Sequence, residues 1–433
     1  MSDHTHIGLP RLLAGIPQRG AMSLPEHLEL HGAAPFAQRR ERRSAAGLIE
    51  QVRQAGLCGR GGAAFPTATK MRAVADARGR AIVVINACEG EPASLKDRTL
   101  LETLPHLALD GGALAAHAIG ADEVILCLCE SAGVALESAA RAIKERRQLS
   151  GDPRIHLATV PSTYISGQES ALVNHLNGGP AKPTFTPPMI FQRGVRRRPT
   201  LLQNAETLAH LALIARHGPQ WFRQLGTATQ PGSALVTLAG EVAQPGVYEI
   251  EYGAPLSSLI EAAEGLTEEP RAILVGGYAG SWIDARALGS IALCDEHLAP
   301  FGASLGPGVL LLLSERACAV AETVRVSRWL ASQSAGQCGP CVHGLDAIST
   351  QIEQLALGRS EGQAHQHLAH LAGQVPRRGA CGHPDGAVRF LSSALKVFAQ
   401  EFQDHARRGP CPACHAAGRL PLPGSQRHAL AMA

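Results

Sequence analysis

The sequence has few aromatic residues and little net charge, and both shortages argue against a nucleic-acid partner. Phe, Trp and Tyr make up only 4% of the 433 residues, and the formal net charge is +3. Nucleic-acid binders usually carry a pronounced basic surface or stacking aromatic side chains. The one dense basic run, residues 193–198, fits a solvated loop better than a contact with a phosphate or an acidic partner. We therefore expect no nucleic-acid partner.

Long hydrophobic runs are also missing, which argues against a membrane span. A transmembrane helix needs about 18 or more predominantly apolar residues in a row. The longest apolar region, residues 107–128, is broken by Asp110, His117, Asp122 and Glu123. The first residues also lack the basic and apolar blocks of a signal peptide. We expect a cytoplasmic protein without direct membrane insertion. If it docks on a membrane-bound partner, it would lie peripheral to the inner face of the membrane.

The composition is typical of a folded chain with several domains. Hydrophobic residues account for 45% and charged residues for 18%, and single cores stop growing at roughly 250–300 residues. The residue composition and the hydrophobic pattern divide the chain into five regions: an N-terminal arm over 1–45, an α/β domain over 46–230, a β-grasp domain over 231–316, a helical bundle over 317–408 and a tail over 409–433. We expect the tail to be flexible unless another part of the chain ties it down.

The prediction of an α/β domain depends on β-branched runs that alternate with helical patterns. Residues 81–87 and 123–129 suit buried parallel strands, and residues 106–119 and 131–147 have helical patterns. Alternation of this kind indicates helices layered on a parallel sheet, here in a Rossmann-like arrangement. The later segments differ, because short strands with turns favour a β-grasp module and a series of helical patterns favours a bundle.

The first candidate site is the glycine-rich segment 56–70. Gly59, Gly61 and Gly62 leave the main chain open to close approach by an anion, because no Cβ stands in the way. Main-chain N–H groups there, with Arg60 and Lys70, would hold a phosphate. The spacing matches neither a Walker nor a Rossmann loop, so a plain tight turn explains it equally well.

Three further polar segments follow elements of the predicted α/β domain. Residues 86–98, with Asn86, Glu89 and Glu91, come directly after the strand at 81–86, where open α/β sheets bind ligands. A solvated loop with internal ion pairs is the alternative. Residues 164–172 and 203–208 mix hydrogen-bonding side chains with a helix start, and each taken alone is compatible with an ordinary capped helix.

The cysteines divide into structural and metal-binding candidates. Eleven cysteines in a cytosolic chain do not favour disulfides. Cys127 and Cys129 lie in an apolar run and suit a buried strand, while Cys58, Cys294 and Cys318 lack metal spacing. Cys338, Cys341 and Cys381 indicate an iron–sulfur or zinc site, with a thioredoxin-like dithiol as the alternative. Candidates for a fourth ligand are His343, His383, Cys411 and Cys414.

The five candidate site segments resemble, in this order, the flavin-bearing, NADH-binding subunit of respiratory complex I and of related NAD-linked hydrogenases and formate dehydrogenases. They are the glycine-rich segment, the three polar segments and the C-terminal cysteine set. The resemblance runs from about residue 50 to residue 405 and includes Asn-x-x-Glu-Gly-Glu-Pro at 86–92 and Asn-x-Glu-Thr-Leu at 204–208. It implies a Rossmann-like FMN-binding domain, a β-grasp domain of the soluble-ligand-binding (SLBB) type and a C-terminal helical iron–sulfur bundle.

The resemblance also implies a cofactor and a role for particular residues. FMN would lie against Gly59, Arg60, Gly61 and Gly62, with Lys70, Asn86, Glu89, Tyr164, Gln203, Asn204 and Thr207 among its contacts. NADH would stack on the flavin, with Phe65 near its adenine and the two catalytic candidates, Glu91 and Glu169, near its nicotinamide ribose. Electrons would then pass singly to a [4Fe–4S] or [3Fe–4S] cluster on Cys338, Cys341 and Cys381, and on to a partner subunit such as a ferredoxin-like [2Fe–2S] protein.

Several positions depart from the family pattern. Ala335 replaces the first cluster cysteine, and alanine cannot ligate iron. Cys88, Gln168 and Gln203 replace an aspartate, a glutamate and an asparagine. Met71-Arg-Ala73 stands where the family has Trp-Ser-Phe, so the second aromatic of the adenine clamp is lost. Despite these departures, the resemblance implies an NADH:acceptor oxidoreductase subunit. Two alternatives stay open, a flavoprotein electron carrier that does not use NADH and a cofactor-poor scaffold of a redox complex.

Overall fold

The computed structural model describes residues 9–36, 42–147, 149, 151–359 and 364–423. Its helices are α1 Leu24–His31, α2 Arg42–Ala55, α3 Thr67–Ala75, α4 Lys96–Thr103, α5 Pro105–Ile119, α6 Gly133–Arg146, α7 Glu169–Leu176, α8 Ile190–Arg193, α9 Ala205–Phe222, α10 Leu256–Ala262, α11 Asp295–Leu298, α12 Ala319–Ser332, α13 Asp346–Ala356, α14 Ala364–Gln374, α15 His383–Val397 and α16 Ala399–Arg408. The strands are β1 Ile82–Ala87, β2 Glu123–Cys129, β3 Arg154–Val160, β4 Thr200–Asn204, β5 Ser233–Gly240, β6 Gly246–Glu251, β7 Pro270–Val275, β8 Ser281–Asp284 and β9 Val309–Ser314. Parts of the predicted arm, residues 1–8 and 37–41, and the end of the predicted tail, 424–433, lie outside the described residues.

The described chain forms two compact units that do not coincide with continuous stretches of sequence. The first comprises residues up to 90 together with 95–235 and 249–253, and the second comprises 91–94, 236–248 and 254 onward. The short segment 91–94 thus belongs to the second unit, although it lies within the loop after β1.

A four-stranded parallel sheet organises the first unit. Its strand order is β3-β2-β1-β4, and Ile85 in β1 is paired with Leu126 in β2 and Gln203 in β4. β2 is buried along its whole length, as expected for a β-branched and apolar run with helices on both faces. The predicted α/β fold with a parallel sheet is confirmed.

Helix α5 packs against α9 more closely than most side chains would allow. A Cβ added at Gly111 would lie 1.9 Å from the main-chain oxygen of Leu208, so only glycine fits this helix crossing. The contact fixes the start of α9, and with it the polar residues that follow β4.

A mixed five-stranded sheet lies at the centre of the β-grasp region. The order is β6-β5-β9-β7-β8, with β5 parallel to β9 and β7 antiparallel to both β8 and β9. The sequence pattern predicts strands at 234–239, 246–250, 272–275 and 309–313, and all four are present. It does not predict β8, because Ser281–Asp284 is too short for a clear alternation.

The C-terminal region is helical, as predicted, but where the sequence pattern predicts one helix over 385–405 the structure has two. Phe398 has non-helical dihedral angles, and α15 ends and α16 begins on either side of it. Its ring is buried against Trp282 in β8, with ring centroids 5.3 Å apart. Tertiary packing of one aromatic side chain therefore accompanies the break.

Among the described residues, no helix combines the length and the apolar character needed to cross a bilayer.

Candidate functional site

The glycine turn between α2 and α3 lies against the carboxyl end of β4. The main-chain N–H of Gly59 donates to the carbonyl of Phe65 at 2.9 Å, which closes the turn. Gly62 has a φ of 106°, a left-handed conformation that favours glycine. A Cβ at Gly61 would meet the Cβ of Asn204 at 3.4 Å. The structure thus brings the predicted glycines to the polar residues after β4.

Arg60 is tied into the first unit by its main chain and its side chain. Its N–H donates to Oγ1 of Thr207 at 2.8 Å, while its guanidinium donates to the carbonyls of Cys58 at 3.2 Å and Ser233 at 3.1 Å. The guanidinium also stacks on Tyr252, with 4.7 Å to the ring centroid. The charge that we expected at a phosphate is directed instead to main-chain carbonyls, because a buried cation needs such partners.

The loop after β1 and the loop before α7 pack tightly through two glycines. Asn86 donates from Nδ2 to the carbonyl of Gly167 at 2.8 Å, and its Oδ1 accepts from the N–H of Cys88 at 3.1 Å. A Cβ at Gly90 would lie 2.3 Å from the carbonyl oxygen of Tyr164, and one at Gly167 would lie 2.6 Å from that of Cys88. The predicted residues Asn86 and Tyr164 are therefore held in one place.

Lys70 and Glu169 meet although 99 residues separate them. Lys70 on α3 forms an ion pair with Glu169, which is the first residue of α7. Gln168 caps that helix, since its Oε1 accepts from the N–H of Ala171 at 2.9 Å. The replacement of the family's glutamate by Gln168 therefore retains a helix-capping acceptor.

A buried ion cluster beneath these loops was not identified from the sequence. Nζ of Lys96 lies 3.0 Å from Oδ1 of Asp97 and 2.8 Å from Oε2 of Glu206, and all three side chains are almost inaccessible to water. Nδ2 of Asn204 donates to Asp97 and, at 3.4 Å, to the carbonyl of Asn86. The cluster thereby fixes Asn204, which faces the glycine turn.

Burial and charge compete within this cluster. Burial lowers the pKa of Lys96, but the carboxylates of Asp97 and Glu206 outweigh burial and raise that pKa above its usual value. Burial raises the pKa of Asp97 to about 6 against the opposing effect of Lys96. For Glu206 burial also raises the pKa, but Lys96, His210 and Arg60 together outweigh burial and bring it to about 2. Glu206 and Lys96 are therefore both charged at neutral pH.

The two acidic residues of the loop after β1 have different surroundings. Glu89 accepts from the N–H groups of Asp97 and Arg98, both at 2.9 Å, and so caps the N-terminus of α4. Glu91 belongs to the second unit, where its carboxylate accepts from the N–H of Tyr278 at 2.8 Å. The short sequence distance between Glu89 and Glu91 gave no indication of this difference.

The residues of the first unit fit a flavin mononucleotide. Gln203 is buried, and within the described part of the chain its Nε2 has no hydrogen-bond partner, so a donor is left for a ligand. Phe65 beside the glycine turn is 53% exposed, which is high for an aromatic side chain. An unpaired donor, an open glycine turn and a lysine at the same place are compatible with a planar ring that carries a phosphate.

The three predicted cluster cysteines lie near a π-helical turn at Pro340–Leu345. Burial, together with the neighbouring Cys338 and Cys381, raises the pKa of Cys341 to about 12. Thiols of this kind give up their protons when a cation binds, so the donor set fits an iron–sulfur cluster. Ala335 is buried where the family has a ligand, and the Ser334 hydroxyl next to it hydrogen-bonds to Cys341.

The other candidate ligands are placed elsewhere or engaged. His343 is exposed, and Nε2 of His383 lies 2.9 Å from the carbonyl oxygen of Leu330. Cys411 and Cys414 lie with Cys318 and His405, four residues whose ligand atoms are all within 4.8 Å of one another. Cys318 does lack metal spacing in the sequence, since 87 residues separate it from His405, and folding alone brings it into this group.

Two of the four arginines in the basic run at 193–198 form ion pairs within the first unit. Arg196 forms an ion pair with Glu123, and Arg198 forms one with Asp122, both at the start of β2. Arg198 also donates to the carbonyl of Ala81 at 2.9 Å. These contacts agree with neither a freely solvated loop nor a free phosphate-binding surface.

Comparison with known proteins agrees with this arrangement. Three family models match: the Nuo51 FMN-binding domain over residues 52–213, the SLBB domain over 235–277 and the NADH-ubiquinone oxidoreductase-F iron-sulfur binding region over 321–405. Each match lies inside one of the predicted segments.

The relatives are subunits of redox complexes. An F-type subunit of the NADH-quinone oxidoreductase of Rhizobium meliloti is 31% identical over 379 residues, which cover 84% of this chain and 90% of the relative. The HndC subunit of the NADP-reducing hydrogenase of Solidesulfovibrio fructosivorans is 28% identical and covers 84% of this chain and 77% of its own length. A chain of the NAD+-reducing [NiFe]-hydrogenase in its H2-reduced state matches with a TM-score of 0.76 and 32% identity. The match covers 84% of the present chain but only 63% of the hydrogenase chain.

Fold, site and relatives together define a flavin and iron–sulfur oxidoreductase subunit that transfers electrons. The chain belongs to the family made up of the F-type subunits of NADH-quinone oxidoreductases and the hydrogenase subunits related to them. The resemblance inferred from the five sequence segments is thus confirmed.

Proposed function

We propose that the chain oxidises NADH with FMN bound between the glycine turn and the loop after β1. The observation that carries this proposal is that Asn204 contacts both the glycine turn and Asn86 near the end of β1, with the unpaired Gln203 amide next to it in sequence. When bound, FMN accepts a hydride from NADH and releases electrons singly, and an iron–sulfur cluster accepts them.

The side chains of the first unit have distinct roles in this proposal. The main-chain N–H groups of Gly61 and Gly62 and the ammonium of Lys70 hold the phosphate. Asn86, Asn204 and Thr207 hold the turn and the loop in position through their hydrogen bonds. Glu89 contributes by capping α4.

Substrate contacts involve the exposed ring of Phe65 and two carboxylates. Phe65 offers a face on which the adenine of NADH stacks. Glu169 binds the nicotinamide ribose and holds the Lys70 ammonium, and Glu91 is assigned to the same end of the substrate on the family resemblance. Tyr164, whose main chain packs against Gly90, is assigned to the flavin on the family resemblance.

Cys338, Cys341 and Cys381 hold the iron–sulfur cluster in this proposal, as [4Fe–4S] or [3Fe–4S]. With Ala335 at the fourth position, three thiolates are the donors that the local sequence supplies. The Ser334 hydroxyl stabilises the neighbouring Cys341 sulfur by a hydrogen bond.

We assign the electron acceptor to a partner subunit. The relatives are themselves named as subunits of an NADH-quinone oxidoreductase and of hydrogenases, so a multi-subunit redox complex is the natural setting. A ferredoxin-like [2Fe–2S] protein is the partner class proposed, and a cytoplasmic position, peripheral to the membrane, is the location proposed.

The test is NADH oxidation by the anaerobically purified and reconstituted chain with ferricyanide as a one-electron acceptor. We expect activity that requires FMN and an iron content that Cys338→Ala abolishes. Cys294→Ser serves as the control, because Cys294 lies beside His297 and outside the predicted cluster. Full flavin and iron loading without NADH oxidation would contradict the proposal.

A second candidate is a flavoprotein that exchanges electrons with a ferredoxin-like partner and does not use NADH. The observation that favours it is the segment Met71-Arg-Ala73, which lacks the second aromatic of the family's adenine clamp and in which Met71 is fully buried. Flavin that is reduced by reduced ferredoxin but not by NADH would support this candidate. A chain that stays colourless after reconstitution would instead support a cofactor-poor scaffold.

A further inference from the structure

A second group of thiols in the helical region has the geometry of a mononuclear metal site. Sγ of Cys414 lies 3.4 Å from Sγ of Cys318 and 3.7 Å from Sγ of Cys411. Nε2 of His405 lies 3.6 Å from Sγ of Cys318 and 3.9 Å from Sγ of Cys414. These four residues are separate from Cys338, Cys341 and Cys381.

The distances agree with a tetrahedral ion of the size of zinc. Zn–S bonds of about 2.3 Å and Zn–N bonds of about 2.0–2.1 Å at tetrahedral angles place sulfurs about 3.8 Å apart and nitrogen about 3.6 Å from sulfur. The four separations given above lie close to these values, and all the ligand atoms lie within 4.8 Å of one another. A multi-iron cluster would keep its ligand sulfurs further apart, because each sulfur binds a different iron.

His405 is oriented as metal-binding histidines usually are. Its Nδ1 lies 3.1 Å from the carbonyl oxygen of Ala356, so Nδ1–H donates there and Nε2 is left with its lone pair toward the thiols. The ring is 2% exposed, which holds this orientation.

The ligands come from three separate parts of the second unit. Cys318 is the N-cap residue of α12, His405 lies in the last turn of α16, and Cys411-Pro-Ala-Cys414 forms a short C-x-x-C loop after α16. A donor set of three thiolates and one imidazole, with no position left open, is typical of structural zinc sites.

The segment after Cys414 is held by further contacts. The N–H groups of Arg419 and Leu420 donate to the Glu322 carboxylate on α12 at 2.8 and 3.1 Å, and the hydroxyl of Tyr278 donates to the carbonyl of Pro421 at 2.6 Å. Leu420 is 3% exposed. Residues 409–423, predicted to be flexible unless tied down, are thus attached to the helical region.

We propose that Cys318, His405, Cys411 and Cys414 bind one zinc ion that fastens the C-terminal segment to α12 and α16. Binding replaces the three thiol protons, which pass to solvent, and no electron is transferred. The site is structural and independent of the flavin and of the iron–sulfur cluster.

The experiment is elemental analysis of the full-length chain expressed with zinc and iron and purified anaerobically. We expect one zinc per chain in the wild type, a fall to below a tenth of that value in Cys411→Ser, and unchanged zinc in Cys338→Ala. Cys294→Ser is the matched control, since Cys294 also contacts a histidine ring, at 3.2 Å, yet lies outside the group. A wild-type chain without zinc would overturn the proposal, as would iron lost from Cys411→Ser.

A second measurement covers the case in which Cys411→Ser does not fold. The wild-type chain is stripped of zinc, reloaded with Co²⁺ and examined by absorption spectroscopy. We expect intense tetrahedral d–d bands with thiolate-to-cobalt charge transfer, and faster trypsin cleavage after Arg419 in the stripped chain. Weak octahedral bands, or equal cleavage with and without metal, would overturn the proposal.

Discussion

Lys96 is nearly inaccessible to water, so its two carboxylate neighbours decide its charge. The ammonium is within 3.0 Å of Asp97 and 2.8 Å of Glu206, which outweigh the effect of burial on its pKa. A buried ion pair contributes little net stability compared with apolar residues, but removal of one partner leaves an uncompensated charge. The role of Lys96 is therefore to keep Asp97 and Asn204 in place beneath the glycine turn.

Lys96→Met should lower the free energy of unfolding by about 3–5 kcal/mol, because Glu206 is left charged and buried. The measurement is chemical denaturation at neutral pH. Arg286→Met is the control, since Arg286 and Asp284 form an exposed pair whose loss should cost about 0–1 kcal/mol. Equal losses in both variants would refute the assigned role of the cluster.

Lys70→Gln should weaken binding of FMN about 10-fold or more, because a hydrogen bond to a charged group contributes about 1.5–3 kcal/mol. Binding of riboflavin, which has no phosphate, should change little in the same variant. The two affinities follow from flavin fluorescence titrations, with Lys144→Ala, an exposed lysine on α6, as the control. An equal loss of FMN and riboflavin binding would mean that Lys70 does not contact the phosphate.

At the scale of elements, the sequence allowed the strands to be predicted well and the contacts between loops poorly. The β-branched runs of β1 and β2 identify buried parallel strands from local pattern alone. The packing of Gly90 against Tyr164 joins positions 74 residues apart, and no local pattern specifies such a contact. The break at Phe398 is likewise a result of tertiary packing.

Gly90→Ala should disturb the two loops, because its Cβ would lie 2.3 Å from a main-chain oxygen that cannot rotate away. We expect a loss of about 1–3 kcal/mol in unfolding free energy, together with weaker FMN binding. Gly47→Ala in α2 is the control, since its Cβ meets nothing within 4 Å and alanine favours helices by about 0.5–1 kcal/mol. A stable Gly90→Ala variant with full FMN binding would show that the loops do not need this close approach.

For the molecule as a whole, the sequence made the family and the three kinds of region predictable, but not the zinc-binding geometry. The five flavin and iron–sulfur segments are each short and local, so they can be recognised without a structure. The group at Cys318, His405, Cys411 and Cys414 is assembled by folding from distant positions. Only its Cys411-x-x-Cys414 part was visible, and it was interpreted as a source of a fourth cluster ligand.

The stability of the first unit should fall as the pH drops below about 6.5. Burial lowers the pKa of His31 and of His106 to about 4, so both are neutral in the folded chain and bind protons more tightly when it unfolds. Their contribution is complete above pH 6.5 and is lost progressively toward pH 4. Denaturation midpoints at pH 7.5, 6 and 5 measure the effect, which His31→Gln should reduce and the exposed control His156→Gln should leave unchanged. A midpoint that does not change over this range would contradict the assignment.

The central claim is that the glycine turn at 59–62 and the loop after β1 hold FMN. The most direct measurement is an equilibrium titration of the purified chain with FMN, repeated with Gly61→Leu, whose side chain would project from the turn toward Asn204. The account predicts saturable binding of one FMN per wild-type chain and at least a 100-fold weaker affinity in the variant, equivalent to about 2.8 kcal/mol. Absence of FMN binding by the wild-type chain, or equal affinity in Gly61→Leu, would contradict it.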